Sequence, residues 1–312
     1  MKKIFIAVMA MAAFAACSNE NTIVTPQGAA IAFGDAFVDN STKAIIASAN
    51  NIQSFQVFGN VVATDSGNDP VALYGDTGAA VDRDGAALDA AWSCGVTRYW
   101  TPSCTFNFAA VANGTATVGA NGLPTSISYT LNATDPADLI YATQVATTDN
   151  ASNPITGVNT NKVVAFTFNH LLSKVTFTVD ASAITKNEYS VVVTDIAITG
   201  AVDKGTYTVD GGTWAKADGA TTVNQDYYDG AYVSHLLIPV AHALGVTVTY
   251  NILFDGKVIQ TGLTKNGTVN YTFAKNTAYT ITAALSALNE IQFSVATNGI
   301  GGWTDGSGAT IQ

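Results

Sequence analysis

The stretch Lys174-Val-Thr-Phe177-Thr-Val179 alternates polar and apolar residues and decides the fold class. The same period of two recurs in residues 52–58, 246–252 and 279–283, where Val, Ile, Phe or Tyr alternate with polar residues. Successive side chains of a strand point to opposite faces, so this pattern is typical of strands with one buried face. The sequence therefore predicts an all-β protein.

Turn signals separate these runs. Asn113-Gly114, Asp255-Gly256 and Asn266-Gly267 each supply the positive φ angles of a tight type I′ hairpin turn. Only Asp82–Trp92 and Asp135–Val145 favour short helices, the second begun by an Asp-Pro cap. Many short strands with closely spaced turns predict β-sandwiches with Greek-key connections.

The length of 312 residues fits two such sandwiches. We predict a signal peptide in residues 1–16 and a tether in residues 17–28. The first domain then covers residues 29–158, and the second covers residues 159–312. The boundary is placed in residues 150–161, which form the most loop-like stretch near the middle of the chain.

The N-terminus predicts export. Lys2 and Lys3 precede a short apolar run that ends at Ala15-Ala-Cys17, which is typical of a secretory signal too short to span a membrane. Cys17 at the cleavage point resembles the acylated cysteine of a bacterial lipobox, and an ordinary signal peptide is the alternative. We expect Cys17 to carry lipid, so that the chain meets a membrane only through this anchor.

Composition limits the partners of the chain. Hydrophobic residues make up 48% and charged residues 12% of the chain, so the chain can bury a substantial core. The formal net charge of −10 argues against nucleic acid, which is bound by clustered Lys and Arg.

The two remaining cysteines, Cys94 and Cys104, form an even pair in an exported chain. Such a pair predicts a disulfide. Neither has a second Cys or a His at ligand spacing, so no metal site is expected.

Catalytic motifs are missing from the sequence. It contains no nucleophile elbow, zinc-protease motif, phosphate loop or dinucleotide fingerprint. His170, His235 and His242 lie in apolar runs, where a histidine is usually a strand residue with a satisfied hydrogen bond. We therefore predict neither an enzyme nor a cofactor.

Five aromatic residues leave a binding function open. If exposed on one face, they could stack on sugars, although core packing is the more common role of aromatic residues in sandwiches. They are Trp92, Tyr99, Trp100, Tyr227 and Tyr228.

Several motifs resemble those of one family. Phe166-Thr-Phe168-Asn-His170-Leu-Leu-Ser-Lys174-Val-Thr-Phe177 is similar to the central strand motif of Bacteroidetes fimbrillins, the type V pilins. Asp138-Leu-Ile-Tyr141-Ala precedes it as in the family. Leu237-Ile-Pro239 and Ile291-Gln-Phe293-Ser-Val295 resemble later landmarks in the same order.

This resemblance implies a precursor of two transthyretin-like sandwiches, exported to the outer membrane as a lipoprotein. A trypsin-like protease would cut it between Lys43 and Ala44, although the family usually carries Arg at the position of Lys43. The removable edge strand would be the segment with Ile31 and Phe33. A neighbouring subunit would fill the vacated groove by β-augmentation.

The C-terminal end is the candidate donor strand. Its apolar residues Trp303, Ala309 and Ile311 share strand parity and would face one way.

We therefore predict a structural subunit of a cell-surface fimbria that contributes to adhesion. Its expected partners are other pilin subunits, a processing protease and a receptor on host or bacterial surfaces. The alternatives are a tip or accessory pilin, a carbohydrate-binding surface lipoprotein and a cell-surface glycosidase.

Overall fold

A computed structural model of the protein describes residues 28–38, 52–64, 67–84, 91–132, 137–186, 188–286, 291–297 and 309–311. Regular secondary structure in these ranges consists of 22 β-strands. The all-β fold class predicted from the alternating sequence is confirmed.

The strands of the first half are β1 (Ala32–Val38), β2 (Ser54–Ala63), β3 (Val71–Ala72), β4 (Ala79–Arg83), β5 (Trp92–Cys94), β6 (Cys104–Ala112), β7 (Thr115–Val118), β8 (Pro124–Thr130), β9 (Ile140–Thr148), β10 (Pro154–Thr156) and β11 (Val163–His170). Those of the second half are β12 (Ser173–Asp180), β13 (Tyr189–Val202), β14 (Lys204–Thr208), β15 (Thr213–Lys216), β16 (Thr222–Asp226), β17 (Ser234–Leu237), β18 (Ala241–Phe254), β19 (Lys257–Thr272), β20 (Thr277–Ala284), β21 (Gln292–Thr297) and β22 (Ala309–Ile311).

The N-terminal sheet has the order β1-β11-β9-β6-β2-β4-β5, with β3 and β10 paired at its sides. Its inner face buries many aromatic side chains, including Phe55, Phe106, Phe108, Phe166 and Phe168. The strand β1 is parallel to β11, whereas the other pairs in this sheet are antiparallel. An N-terminal edge strand therefore completes a core built by later strands.

Two sheets of the second half enclose a second core and form the C-terminal sandwich. One has the order β17-β12-β20-β21-β22 and the other β16-β13-β18-β19. The alternation that predicted strands has its physical cause here, since Leu244, Val246, Val248 and Tyr250 along β18 are all buried. The polar residues between them lie on the other face of the strand.

A fourth sheet joins the two halves of the chain. In this bridging sheet, of order β15-β14-β8-β7, β8 of the first half is antiparallel to β14 of the second. A third apolar cluster lies beside it and includes Leu171 and Leu172, the two residues that connect β11 to β12. The junction between the halves is thus buried and hydrogen-bonded.

This pairing bears on the predicted domain boundary. The strand β11 follows the boundary predicted between residues 158 and 159, yet it pairs with β9 and β1 in the N-terminal sheet. The division into two Greek-key domains stays a prediction, and the pairing of β11 favours a boundary after His170.

Both predicted helices and two of the three predicted hairpin turns are wrong, since Asn113-Gly114 connects β6 to β7, which lie in different sheets. Residues 140–145 of the second predicted helix belong to strand β9, and the ends of the first belong to β4 and β5; residues 85–90 and 133–136 lie outside the described part. Asp255-Gly256 forms the predicted hairpin turn between β18 and β19, but Asn266-Gly267 lies within β19. A Cβ atom at Gly267 would lie 2.5 Å from the Phe293 ring, so this glycine serves close packing rather than a turn.

The disulfide predicted between Cys94 and Cys104 is absent. Cys104 pairs with Ala63 at one end of β2, whereas Cys94 pairs with Val81, which lies opposite Phe55 near the other end. The strand between Ala63 and Phe55 separates them by about 26 Å. A disulfide bridges Cα atoms only up to about 7 Å apart. Cys94 and Cys104 are close in sequence but far apart in space, because the segment that connects them crosses the sheet.

Candidate strand-exchange site

The first element of the candidate site is the apolar groove that β1 occupies. Ile31 and Phe33 are both buried in the core of the N-terminal sheet. The Phe33 ring lies 5.6 Å from that of Phe108, 5.9 Å from that of Phe166 and 6.2 Å from that of Tyr74, measured between centroids. Each apolar side chain buried in this way contributes roughly 1.5–3 kcal/mol to stability.

The backbone of this segment is held on two sides. Along one side, β1 pairs with β11, from Ala32 opposite Val163 onward. On the other, the Ile31 amide donates to the Arg98 carbonyl at 2.7 Å, and the Trp100 amide donates to the Ala29 carbonyl at 3.1 Å. Removal of this segment would leave backbone donors and acceptors unpaired beside an open apolar groove.

Sequence reasoning missed the second wall of this groove. The segment around Trp100 was assigned to a disulfide loop, but the Trp100 side chain is buried and its ring lies 4.8 Å from that of Phe106. The available signal in the sequence was the tryptophan itself, because this large apolar side chain is highly buried on average.

The second element is the C-terminal strand. β22 is the edge strand of its sheet and pairs antiparallel with β21, with Ile311 opposite Phe293 and Ala309 opposite Val295. The other residues predicted for processing and donation, namely Cys17, Lys43, Ala44 and Trp303, lie outside the described residues.

A buried polar cluster lies at the junction. Asp138, His170 and Lys174 come from the family-like motifs, and all three are buried. The Asp138 Oδ2 atom is hydrogen-bonded to His170 Nδ1. Burial raises the pKa of the Asp138 carboxyl above its ordinary value, although His170 and Lys174 oppose the shift. Burial also disfavours the charged form of Lys174, and it therefore lowers the pKa of this lysine.

The other two histidines have structural hydrogen bonds, as predicted. His235 Nε2 bonds the Asp226 carbonyl at 2.7 Å. His242 Nε2 bonds the Ile238 carbonyl at 2.8 Å, while its Nδ1 accepts from the Val202 amide at 3.3 Å. This pair of bonds requires the neutral His242 ring, with its proton on Nε2.

We therefore expect the contribution of His242 to stability to decrease in mild acid. Burial lowers the pKa of His242 below its ordinary value near 6.5, so the His242 side chain takes up a proton first in the unfolded chain. This contribution is full above pH 6.5 and falls below it, by at most about 1.4 kcal/mol per pH unit. Urea unfolding at pH 7.5 and 5.5 measures the loss. It should shrink in His242→Gln, which keeps one donor and one acceptor, and equal losses in both proteins would contradict the assignment.

The five aromatic residues of the carbohydrate alternative do not form one face. Trp100 and Tyr227 are buried in two different cores. The Trp92 ring is covered by the Arg83 guanidinium at 4.8 Å, and Tyr228 packs against Tyr232. Tyr99 alone of these five is exposed, so the geometry gives no stacking platform for a sugar.

The described residues contain neither a metal-binding cluster nor a membrane-spanning helix. Within them, no group of three or more His, Cys, Asp or Glu side chains could hold a metal ion. The same ranges contain no helix that is long and apolar enough to cross a membrane.

The fold and the site define an all-β protein whose N-terminal edge strand completes a core formed by later strands. The chain belongs to the fimbrillin-like family, whose model matches residues 42–299. No curated protein sequence matches it significantly.

Two solved structures share the fold. A fimbrial protein from Bacteroides vulgatus is 15% identical with a TM-score of 0.52, over 84% of this chain and 98% of that one. A protein described as a cell adhesion protein from Bacteroides uniformis is 17% identical with a TM-score of 0.50, over 79% and 91%. The fimbrial anchor protein Mfa2 from Porphyromonas gingivalis is also similar, at 12% identity and a TM-score of 0.38, over 86% and 96%.

The family is one of fimbrial structural proteins, which associates the chain with other pilin subunits and with the cell surface.

Proposed function

We propose that the protein is a fimbrial stalk subunit that polymerises by exchange of β1 for the C-terminal segment of another copy, and that the fimbria contributes to adhesion. The observation that carries this proposal is the apolar groove that β1 occupies. An edge strand at the start of the chain fills an aromatic groove formed by residues far along the sequence. Such a strand can leave without breaking the remaining ladder, and an identical groove accepts a replacement.

The direction in which the C-terminal segment runs is compatible with this exchange. β1 runs toward the junction, parallel to β11, and β22 runs away from the junction of its own copy. If copies are aligned head to tail, a donated segment enters the next groove in the direction of the departed β1. It can then pair with β11 as β1 does.

The length of the segment is also sufficient. The 15 residues from 298 to 312 span about 50 Å when extended. Passing along β21 to the far end of the sandwich uses roughly 17 Å, which leaves about 33 Å. The seven residues of β1 occupy about 23 Å.

Cleavage at Lys43 should start assembly. Lys43 lies in the polar stretch 40–44, which a protease can bind in extended form, whereas residues in the β-ladders resist cutting. Digestion with a Lys-specific protease should give a new N-terminus at Ala44 and, with time, SDS-resistant multimers. N-terminal sequencing and SDS gels measure both products.

Two variants are the controls. Lys43→Ala should remain uncut at this site and monomeric, and deletion of residues 304–312 should be cut but fail to donate. Cut wild-type protein that stays monomeric at high concentration would refute the stalk role and leave a tip or accessory role. A tail deletion that polymerises like wild type would place the donor elsewhere.

We also propose that Cys17 anchors the precursor to the outer membrane through lipid. Acyl chains bury enough CH₂ groups for stable attachment when at least two are present. Mass spectrometry of membrane-extracted protein should find the acyl groups on Cys17, and Cys17→Ala should move the protein to the soluble fraction. An unmodified Cys17 in the membrane fraction would contradict the anchor.

A further inference from the structure

The segment that leads into β1 passes the second wall of the groove at very short range. A Cβ atom at Gly28 would lie 2.1 Å from the Trp100 carbonyl oxygen and 2.9 Å from the carbonyl carbon. Both atoms belong to the backbone, and the Trp100 side chain is buried against Phe106, so this wall cannot move without repacking the core. Any strand that follows the same path therefore requires glycine at the position of Gly28, which we call the entrance position.

Two further positions of the segment limit what can replace it. Ile31 is 5% exposed and lies in the core, so its place, the core position, requires an apolar residue. Gly34 is buried, and a Cβ atom there would lie 2.9 Å from the Val163 Cγ1 atom, so its place, the narrow position, requires a very small residue. The three alanines between the entrance position and the narrow position are exposed, so their places accept other side chains.

The C-terminal segment repeats the start of this arrangement. Gly308-Ala-Thr-Ile311 is identical to Gly28-Ala-Ala-Ile31 in three of four residues, and the pattern Gly-Ala-x-Ile occurs at no third place in the sequence. In the register of this match, Gly308 takes the entrance position and Ile311 takes the core position. The places of the exposed alanines receive Ala309, Thr310 and Gln312.

The other glycines that follow residue 298 do not meet these requirements. With Gly306 at the entrance position, Gln312 falls on the narrow position, where its Cβ atom would meet the Val163 side chain. With Gly302 at the entrance position, Asp305 falls on the core position, where its carboxylate would be buried among apolar side chains. The glycines at 299 and 301 bring no apolar side chain to the core position. Only the register of Gly308 combines glycine at the entrance with an isoleucine in the core.

We propose that residues 308–312 of one copy enter the β1 groove of another copy in the register of residues 28–32. The inference rests on the proposed strand exchange and deepens it by assigning the register of the donor. Ile311 then enters the core, whereas Ala309 takes an exposed position. Gln312 reaches the position of Ala32, at which the pairing of β1 with β11 begins.

A disulfide between copies can report this register. Ala30 and Tyr99 face each other across the entrance of the groove. The hydrogen bonds on either side of them, from the Ile31 amide and from the Trp100 amide, make them a non-hydrogen-bonded pair, with Cα atoms about 4.5 Å apart. A disulfide can span this distance. The proposed register puts Thr310 at the position of Ala30, so Thr310→Cys of one copy should link to Tyr99→Cys of the next.

The cross-linking experiment uses the full-length chain. Copies carrying Thr310→Cys are mixed with copies carrying Tyr99→Cys, cut with the Lys-specific protease, oxidised, boiled and separated on non-reducing gels. Each variant alone measures the background from the native thiols. Gln312→Cys is the matched control, because residues 310 and 312 face the same side of a strand. We expect about fivefold more mixed dimer from Thr310→Cys than from Gln312→Cys. Equal or reversed yields would overturn the register.

Alanine substitutions separate the register from the strand exchange itself. Gly308→Ala puts a Cβ atom against the Trp100 carbonyl group and should slow multimer formation of the cut protein by roughly tenfold or more. Gly306→Ala, the same change two residues earlier, should leave the rate unchanged. If Gly308→Ala assembles like wild type, or if Gly306→Ala is the slow variant, the register is wrong and the proposed function stands. Cut wild type that forms no multimers would overturn both.

Discussion

Replacement of Phe33 by alanine should lower the free energy of unfolding by about 3–5 kcal/mol, the range for large-to-small changes at buried aromatic positions. Phe33 is 5% exposed. Its ring contacts three other aromatic side chains of the core, and two of these neighbours, Phe108 and Phe166, are fixed in different strands. They cannot collapse into the space without breaking the ladder, so a cavity remains.

Urea unfolding of the uncut chain measures this loss. Phe254→Ala is the matched control, because it removes the same side chain from a 39% exposed site, and its loss should be about 1 kcal/mol. In the cut protein, Phe33→Ala should also speed assembly, since β1 leaves its groove more easily. Similar losses in the two variants would show that β1 does not hold the core.

The sequence predicted the strands well because their alternation has a local cause. The apolar residues of β18 and β12 face one core, and a period of two follows from that directly. The pairing of β1 with β11 and of β8 with β14 was not predictable in this way. Strand order depends on contacts between residues more than 70 positions apart, and a single sequence does not record them.

Gly267 is a second feature that the sequence alone did not predict correctly. Asn266-Gly267 has the composition of a tight turn, but the ring of Phe293 requires a residue without a Cβ there. Local chemistry and tertiary packing therefore select the same residue for different reasons.

The candidate site was partly visible in the sequence. Ile31 and Phe33 were assigned to an edge strand from a family-like motif, and both are buried in the core beside that strand. The burial of Asp138 against His170 was not predicted, although both belonged to recognised motifs. The motifs show only which residue types this chain shares with the family. The contact between Asp138 and His170 depends on how β9 and β11 pair, and the motifs do not contain that information.

This buried pair gives the second large prediction. His170→Ala should lower the free energy of unfolding by about 3–5 kcal/mol, because it leaves the buried Asp138 carboxyl group without its hydrogen-bond partner. Asp138 Oδ1 already has no hydrogen-bond partner among the described residues, so His170 supplies the bond that satisfies the carboxylate. The positive charge of Lys174 also favours the Asp138 carboxylate, but burial disfavours the charged form of Lys174.

The pH dependence of this variant distinguishes a charge effect from a cavity effect. Burial raises the pKa of Asp138 in the folded protein, and loss of His170 should raise it further. A raised carboxyl pKa means that the folded state binds the proton first, so the stability deficit of His170→Ala relative to wild type should shrink as pH falls from 7 toward 5. A simple cavity would leave the deficit constant over this range.

A double-mutant cycle completes the test. Asp138→Asn removes the charge but keeps the shape, so adding it to His170→Ala should recover stability and abolish the gain at low pH. Asp138→Asn alone is the control, since its amide oxygen can still accept a hydrogen bond from His170 and no buried carboxylate remains. If the double variant is as unstable as the sum of the two single variants, Asp138 and His170 are not coupled. The pair would then stabilise the junction only by packing. A recovered double variant would assign the loss to the carboxyl group of Asp138 left without a partner.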